Sequence, residues 1–300
     1  MINLRKEIAF YTSVMQNGVS KGELSTIKKK IKYIIRNIFL FSYSKKIAQF
    51  LLEHKYLKTE VYRYPVLCSK IHRPYVANFF KVKDKVKIIT SSYLFLDNHF
   101  KDTTLNKLYK NGKIKICDII GKNDEVFSIY LHLYTNFEKE GEFNLICYNH
   151  EKILAKLTFS SANDKIFIGG LQGLAKGESP DILKEATKNL YGIFPKKLII
   201  EALYFMFPNY EKIAIANESH IYLATRYKFK KYRSITANYD EFWESINGTK
   251  LSHMWFLPII LERKNIEDIP SKKRSMYNSR FTLLDQMNLS IRNFMKDNKR

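Results

Sequence analysis

The stretch from Ile166 to Phe229 constrains this chain most. It reads Ile-Phe-Ile-Gly-Gly-Leu-Gln-Gly, a long amphipathic segment, then Ile-Ala-Ile-Ala-Asn-Glu-Ser-His-Ile-Tyr. An apolar strand that ends in close-set glycines and feeds a helix exposes backbone N–H groups at the positive end of a helix dipole, where an anion can sit. Gly169, Gly170, Gln172 and Gly173 are therefore the first candidates for a ligand-binding loop. The second apolar run stops at polar Asn217, Glu218, Ser219 and His220, as strands of an open α/β sheet do at their carboxyl ends. Two strand ends then frame one crevice, and the helices between them imply a right-handed parallel unit.

At 300 residues the chain can bury a full core. Its longest apolar runs, Tyr33 to Tyr43 and Leu198 to Phe207, are interrupted by Arg36 and Glu201. Neither reaches the roughly 18 residues of a membrane-spanning helix. No export signal is visible, and Cys68, Cys117 and Cys147 are too few and too widely spaced for a zinc motif. Thiols in a reducing compartment, the cytoplasm, are the simplest expectation.

The elements follow from periodicity. Leu24 to Lys58 repeats its apolar residues at helical spacing with lysines between them, so the N-terminal region is helical. Such a helix either packs on its own domain or lies on a membrane surface. Pro65 and Pro74 predict an extended connector. Val86 to Leu96 is helix or strand. Strands are expected at Lys113 to Ile120, Val126 to Tyr134, Phe143 to Tyr148, Ile153 to Phe159 and Lys165 to Gly170, with a hairpin turn across Tyr148 to Lys152 and antiparallel neighbours. Helices follow from Pro180 and from Pro195, the second apolar nearly all round and so buried, before a strand at Lys212 to Ala216. Asp240 is placed to cap a helix that carries Trp243. Ser271 to Arg300 forms a C-terminal helix.

A net charge of +22 implies anionic partners: an anionic membrane surface, an acidic or phosphorylated partner, or nucleic acid. Nucleic acid is the weakest of these, because no zinc finger or RNA-recognition signature is present. Lys272, Lys273 and Arg274 are a candidate phosphate grip. The same run also suits a solvated helix start. No His-Glu-x-x-His or similar spacing points to a metal.

Several blocks in a fixed order carry a family resemblance: Ile168 to Gly173, Lys184 to Thr187 with Tyr191-Gly192, Pro195 to Leu198, Ala216 to Tyr222, Asn238 to Trp243, and Ser271 to Tyr277. Together they resemble the VirK/YbjX family of Gram-negative bacteria over about Pro65 to Leu289. The resemblance implies a role in envelope integrity, virulence or antimicrobial-peptide tolerance, without an assigned reaction. The order of hairpin strands, glycine-ended strand, helix and second strand also resembles a GNAT-type acyltransferase core. The expected class is thus α/β (α+β), with a mixed, mostly antiparallel sheet and flanking helices. A helical region at 1–64 precedes an α/β domain at 65–300, whose GNAT-like core spans about 113–235.

By that resemblance Gly169 to Gly173 would hold coenzyme A or an acyl-carrier thioester, although Leu174 to Pro180 intervenes before the helix. Tyr222 would be a general acid and His220 or Glu218 a base, with Asn217 beside them. The alternative is a noncatalytic protein, peripheral to the inner membrane, that binds anionic lipid or an envelope-assembly partner through its basic surface.

Overall fold

The structure is a computed structural model that describes residues 4–17, 26–133, 138–175, 177–228 and 238–300. Leu24, Ser25, Tyr134, Lys176 and Phe229, which belong to runs singled out above, lie outside the described residues.

Four helices open the chain: α1 (Leu4–Asn17), α2 (Ile27–Phe39), α3 (Phe41–Glu53) and α4 (Leu57–Arg63). Thr26 caps α2 by accepting from the Lys29 amide. Phe10 and Val14 of α1 pack with Ile47, Ala48 and Leu51 of α3 in the core. The Tyr11 hydroxyl donates to the Ser44 carbonyl at 2.5 Å.

The expected extended connector is helical instead, as α5 (Val66–Ser69) followed by a 3-10 turn at Lys70–His72. Proline restricts the residue before it, whereas its own φ, −62° at Pro65, suits the entrance of a helix. Burial of Leu67, Cys68 and Ile71 then decides for the compact form. The ambiguous run becomes α6 (Val82–His99), and α7 (Asp102–Asn111) ends at Gly112, whose φ of +70° terminates it.

The strands fall close to expectation: β1 (Lys113–Ile120), β2 (Val126–Leu133), β3 (Phe143–Asn149), β4 (Lys152–Ala162) and β5 (Lys165–Gln172). All are antiparallel neighbours in sequence order, and His150 and Glu151 turn the β3–β4 hairpin. Two helices, α8 (Pro180–Asn189) and α9 (Pro195–Met206), lead to β6 (Glu211–Ile215), which pairs parallel to β5. After α10 (Thr225–Lys228) and α11 (Tyr239–Ser245), the short strands β7 (Thr249–Leu251) and β8 (Met254–Phe256) complete one sheet in the order β1-β2-β3-β4-β5-β6-β8-β7. The long helix α12 (Ser271–Asn298) packs on β1 and α9.

The core lies where α6 and α9 cover β4. Leu198, Ile199, Ile200, Ala202 and Leu203 of α9 are all buried, as its all-round apolarity requires. The cap of α11 differs from expectation. Asn238, one residue before the helix, accepts from the Glu241 amide, and this leaves Asp240 for another task.

Candidate functional site

The two parallel strands part company beyond Ile168. Pairing between β5 and β6 ends at Ile168 and Ala214, while β5 continues to Gln172 against β4 alone. In that pairing Phe159 faces Ile168 and Thr158 faces Gly170, so Gly169 is the extra residue of a β-bulge. Gly169 and Gly170 therefore lie within a strand, not in a loop at a helix entrance, and the next helix starts only at Pro180.

The glycines make room for Glu140. A Cβ on Gly169 would strike the Glu140 carbonyl oxygen, and one on Gly170 would strike its carboxylate. Gln172 Nε2 donates to both carboxylate oxygens, at 3.2 and 3.1 Å. On the other side His220 Nε2 stands 3.6 Å from Glu140 Oε1. The Tyr222 amide donates to His220 Nδ1 at 3.3 Å, which places the imidazole proton on Nε2, facing the carboxylate. Tyr239 stacks on the His220 ring at 5.6 Å between centroids. Burial, then the Glu140 charge, pushes the Tyr239 phenol up, and a hydrogen bond with the Leu171 backbone opposes that shift.

Asn217 locks the neighbouring corner. Its backbone amide donates to Asp240 Oδ1 at 2.8 Å, its Nδ2 donates to Asn238 Oδ1, and its Oδ1 accepts from the Tyr239 amide. Asp240 also accepts from Trp255 Nε1 and Lys250 Nζ. Burial opposes ionisation of Asp240, but these bonds hold its carboxyl below the usual range. Glu218 pairs with Lys250 at 3.1 Å, so it faces out of the cluster. Tyr222 keeps its ring 5.2 Å from His220, with Lys139 Nζ 5.8 Å above it.

The remaining candidates take other places. Gly173 opens onto a hollow of about 340 Å³ at the start of α9, lined by Leu183, Phe194, Lys196 and Phe242. Lys272 and Lys273 are exposed at the start of α12, and Arg274 donates to the carbonyls of Ile269 and Glu267. The structure thus joins Gly169, Gly170, Gln172, His220 and Tyr222 around Glu140, with Asn217 at the adjoining corner.

Chemically the cluster is saturated. Glu140 accepts from Gln172 and faces an N–H, and the second His220 nitrogen is occupied as an acceptor. That leaves no imidazole lone pair for a substrate proton. Glu140 and Tyr239 were missed in the sequence. The signal that could have found Glu140 is the glycine pair itself, because glycine inside a strand marks a bulge or a close approach. The three thiols are buried, and burial pushes each up to about 12, so none is an activated nucleophile. Among the described residues no group of His, Cys, Asp and Glu is suited to a metal ion.

A second feature lies on the outside. On α2 the apolar residues share one helical face, yet Ile27, Ile31, Ile34, Ile35, Ile38 and Phe39 are 42–83% exposed, and Tyr33 is the buried residue. The helix thus rests on the domain through Tyr33, whose ring meets Tyr11 and His72, and turns its isoleucines outward. Among the described residues no helix is long and apolar enough to cross a membrane.

Fold and sequence together define a mixed α/β protein of the DUF535 family. The model for that family, described as a protein of unknown function, matches residues 22–293, and the chain belongs to it. The chain is 33% identical over 264 residues to the uncharacterized protein YbjX of Escherichia coli strain K12, covering 85% of this chain and 79% of that one. It is 25% identical to an uncharacterized protein of Haemophilus influenzae over 97% of this chain and 99% of the relative. A protein of Mannheimia haemolytica named membrane protein LapB is 25% identical over 61% of this chain and 80% of its own. No solved structure matches at a significant level.

Proposed function

We propose that this protein works as a peripheral protein at an anionic membrane surface and supports the cell envelope from there. The carrying observation is α2, whose six exposed apolar side chains share a helix with Lys28, Lys29, Lys30, Lys32 and Arg36 and with no acidic residue. Burying a side chain of this size gains about 1.5–3 kcal/mol, which water denies to every one left exposed. Thirteen residues make a helix about 20 Å long, suited to lying in the interface and too short to cross a core of about 30 Å. Basic flanks would meet the lipid phosphates. The name of the Mannheimia relative, a membrane protein, agrees with this reading.

Cosedimentation with vesicles tests it. Vesicles containing phosphatidylglycerol should bind the protein, binding should weaken steeply with salt, and Ile31→Asp with Ile35→Asp should abolish it. Equal binding to phosphatidylcholine vesicles at high salt would sink the proposal.

A second reading is acyl transfer from a thioester donor, coenzyme A or an acyl carrier. What supports it is the order of elements, in which an antiparallel run is followed by α8, α9 and the parallel strand β6. The hollow beside Gly173 and Lys196 is where such a donor would lie. His220 would need to release Nδ1 from the Tyr222 amide to accept a proton. A thermal-shift panel of acyl-CoA and acyl-carrier donors tests this reading, and no shift with any of them removes it.

A further inference from the structure

The outward face of α2 does not end at its own side chains. It continues into a groove between α1, α2 and α3 whose apolar walls include Ile8, Tyr11, Met15, Ile34, Ile38 and Phe41. The groove offers about 310 Å³, at the small end of sites that take a small molecule. Ile34, Ile38 and Phe41 belong to both the groove and the exposed patch. An occupant of the groove therefore sits flush with whatever covers α2. Ser44 also lines the groove, and its Oγ is buried without a hydrogen-bond partner. A donor left unmatched in this way costs stability unless something supplies an acceptor.

From this we infer that the groove receives one acyl chain of an anionic phospholipid, with the ester region at Ser44 and the headgroup among the lysines of α2. The inference rests on the membrane reading of α2. Charge selects this occupant over a second copy of the chain. Lys28, Lys30 and Lys32 flank the apolar face of α2, the helix carries no acid to answer them, and pairing two such faces would set cation against cation. An anionic lipid supplies both the apolar tail and the compensating charge.

The test uses the full chain and dioctanoyl phosphatidylglycerol held below its micelle concentration, with binding followed by calorimetry. Saturable binding at one site is expected. Thr12→Trp and Met15→Trp, which fill the groove from α1, should each weaken it by about tenfold or more while melting as the parent does. Absence of saturable binding, or unchanged affinity in both folded variants, overturns the inference. So does a dimer in sedimentation velocity that dissociates when the groove is filled. Vesicle cosedimentation of the same variants keeps the two proposals apart. Vesicle binding without monomeric lipid binding removes the groove and leaves the membrane reading, whereas monomeric lipid binding without vesicle binding does the reverse.

Discussion

Glu140 Oε1 stands 3.6 Å from His220 Nε2, and both side chains are buried, at 1% and 3% exposure. The carboxylate comes from the turn before β3 and the imidazole from the segment after β6. The contact therefore closes the gap that opens where β5 and β6 diverge. A parallel pair that splays would otherwise leave backbone groups of β5 without partners in the interior. Glu140, His220 and Tyr239 fill that space, and the Leu171 backbone finds Tyr239.

The glycine bulge and Glu140 should be thermodynamically coupled. Gly170→Ala places a methyl group against the Glu140 carboxylate and should cost about 1–3 kcal/mol. Glu140→Ala strips acceptors from Gln172 and His220 and should cost a similar amount for each buried donor left unmatched, about 1–3 kcal/mol. In the double variant the Gly170→Ala penalty should largely vanish. The penalty of Gly169→Ala should persist, because that methyl group meets the residue 140 backbone. Urea unfolding of the four proteins and of the doubles reads the coupling directly, and additive costs for Gly170→Ala and Glu140→Ala would refute it.

A second buried carboxylate ties the N-terminal helices to the sheet. Glu142 accepts from Lys70 Nζ at 2.6 Å, the Tyr75 hydroxyl at 2.5 Å and the Tyr93 hydroxyl at 2.6 Å. Removing the acid strands a buried ammonium, so Glu142→Ala should destabilise by about 3–5 kcal/mol. Lys70→Met combined with Glu142→Gln removes both charges and should recover a large part of that loss. Thermal melts of the single and double variants decide it, and a double variant no better than Glu142→Ala would contradict the account.

The strands from β1 to β5 were legible because their alternation and the hairpin turn are local, and α9 was legible because nothing polar interrupts its apolar surface. What stayed hidden depended on partners far along the chain. Gly169 and Gly170 read as a binding loop until Glu140, about thirty residues earlier in the chain, is placed over them and shows a bulge. Asp240 has the right chemistry for a cap, yet Asn217, Lys250 and Trp255 compete for it and Asn238 does the capping. For α2 the period shows an apolar face without showing what that face meets. Exposure of Ile35 and Ile38 is a property of the packed domain.

His132 carries a pH dependence whose direction is set by its surroundings. Burial, followed by the charges of Lys113 and Lys156, pushes its pKa down to about 4 from an ordinary value of 6.5. Its ring stacks on Tyr148, whose hydroxyl lies 3.2 Å from Nε2. Between these two values the unfolded chain binds the proton and the folded chain does not. The stabilisation is complete above about pH 6.5 and is lost as pH falls toward 4. An NMR titration should find the imidazole neutral at pH 5.5, and His132→Gln should flatten that part of the stability curve. A native His132 that titrates near 6.5 would exclude this contribution.

The cysteines give a probe of the sheet and of the helical region together. Cys117 and Cys147 lie in β1 and β3, Cys68 lies in α5, and all three are buried free thiols. A thiolate is the reactive form, and burial pushes each thiol up to about 12, so access and ionisation both oppose reaction in the folded state. With Ellman's reagent at pH 8 the native protein should release almost no chromophore, and the urea-unfolded protein should release the equivalent of all three thiols. Cys68 should react before the other two at intermediate urea if the N-terminal helices detach from the sheet first, a sequence that mass spectrometry of the labelled peptides resolves. Rapid native labelling of Cys117 or Cys147 would mean that the β1–β3 face opens on its own, which the pairing of both β1 and β3 with β2 argues against.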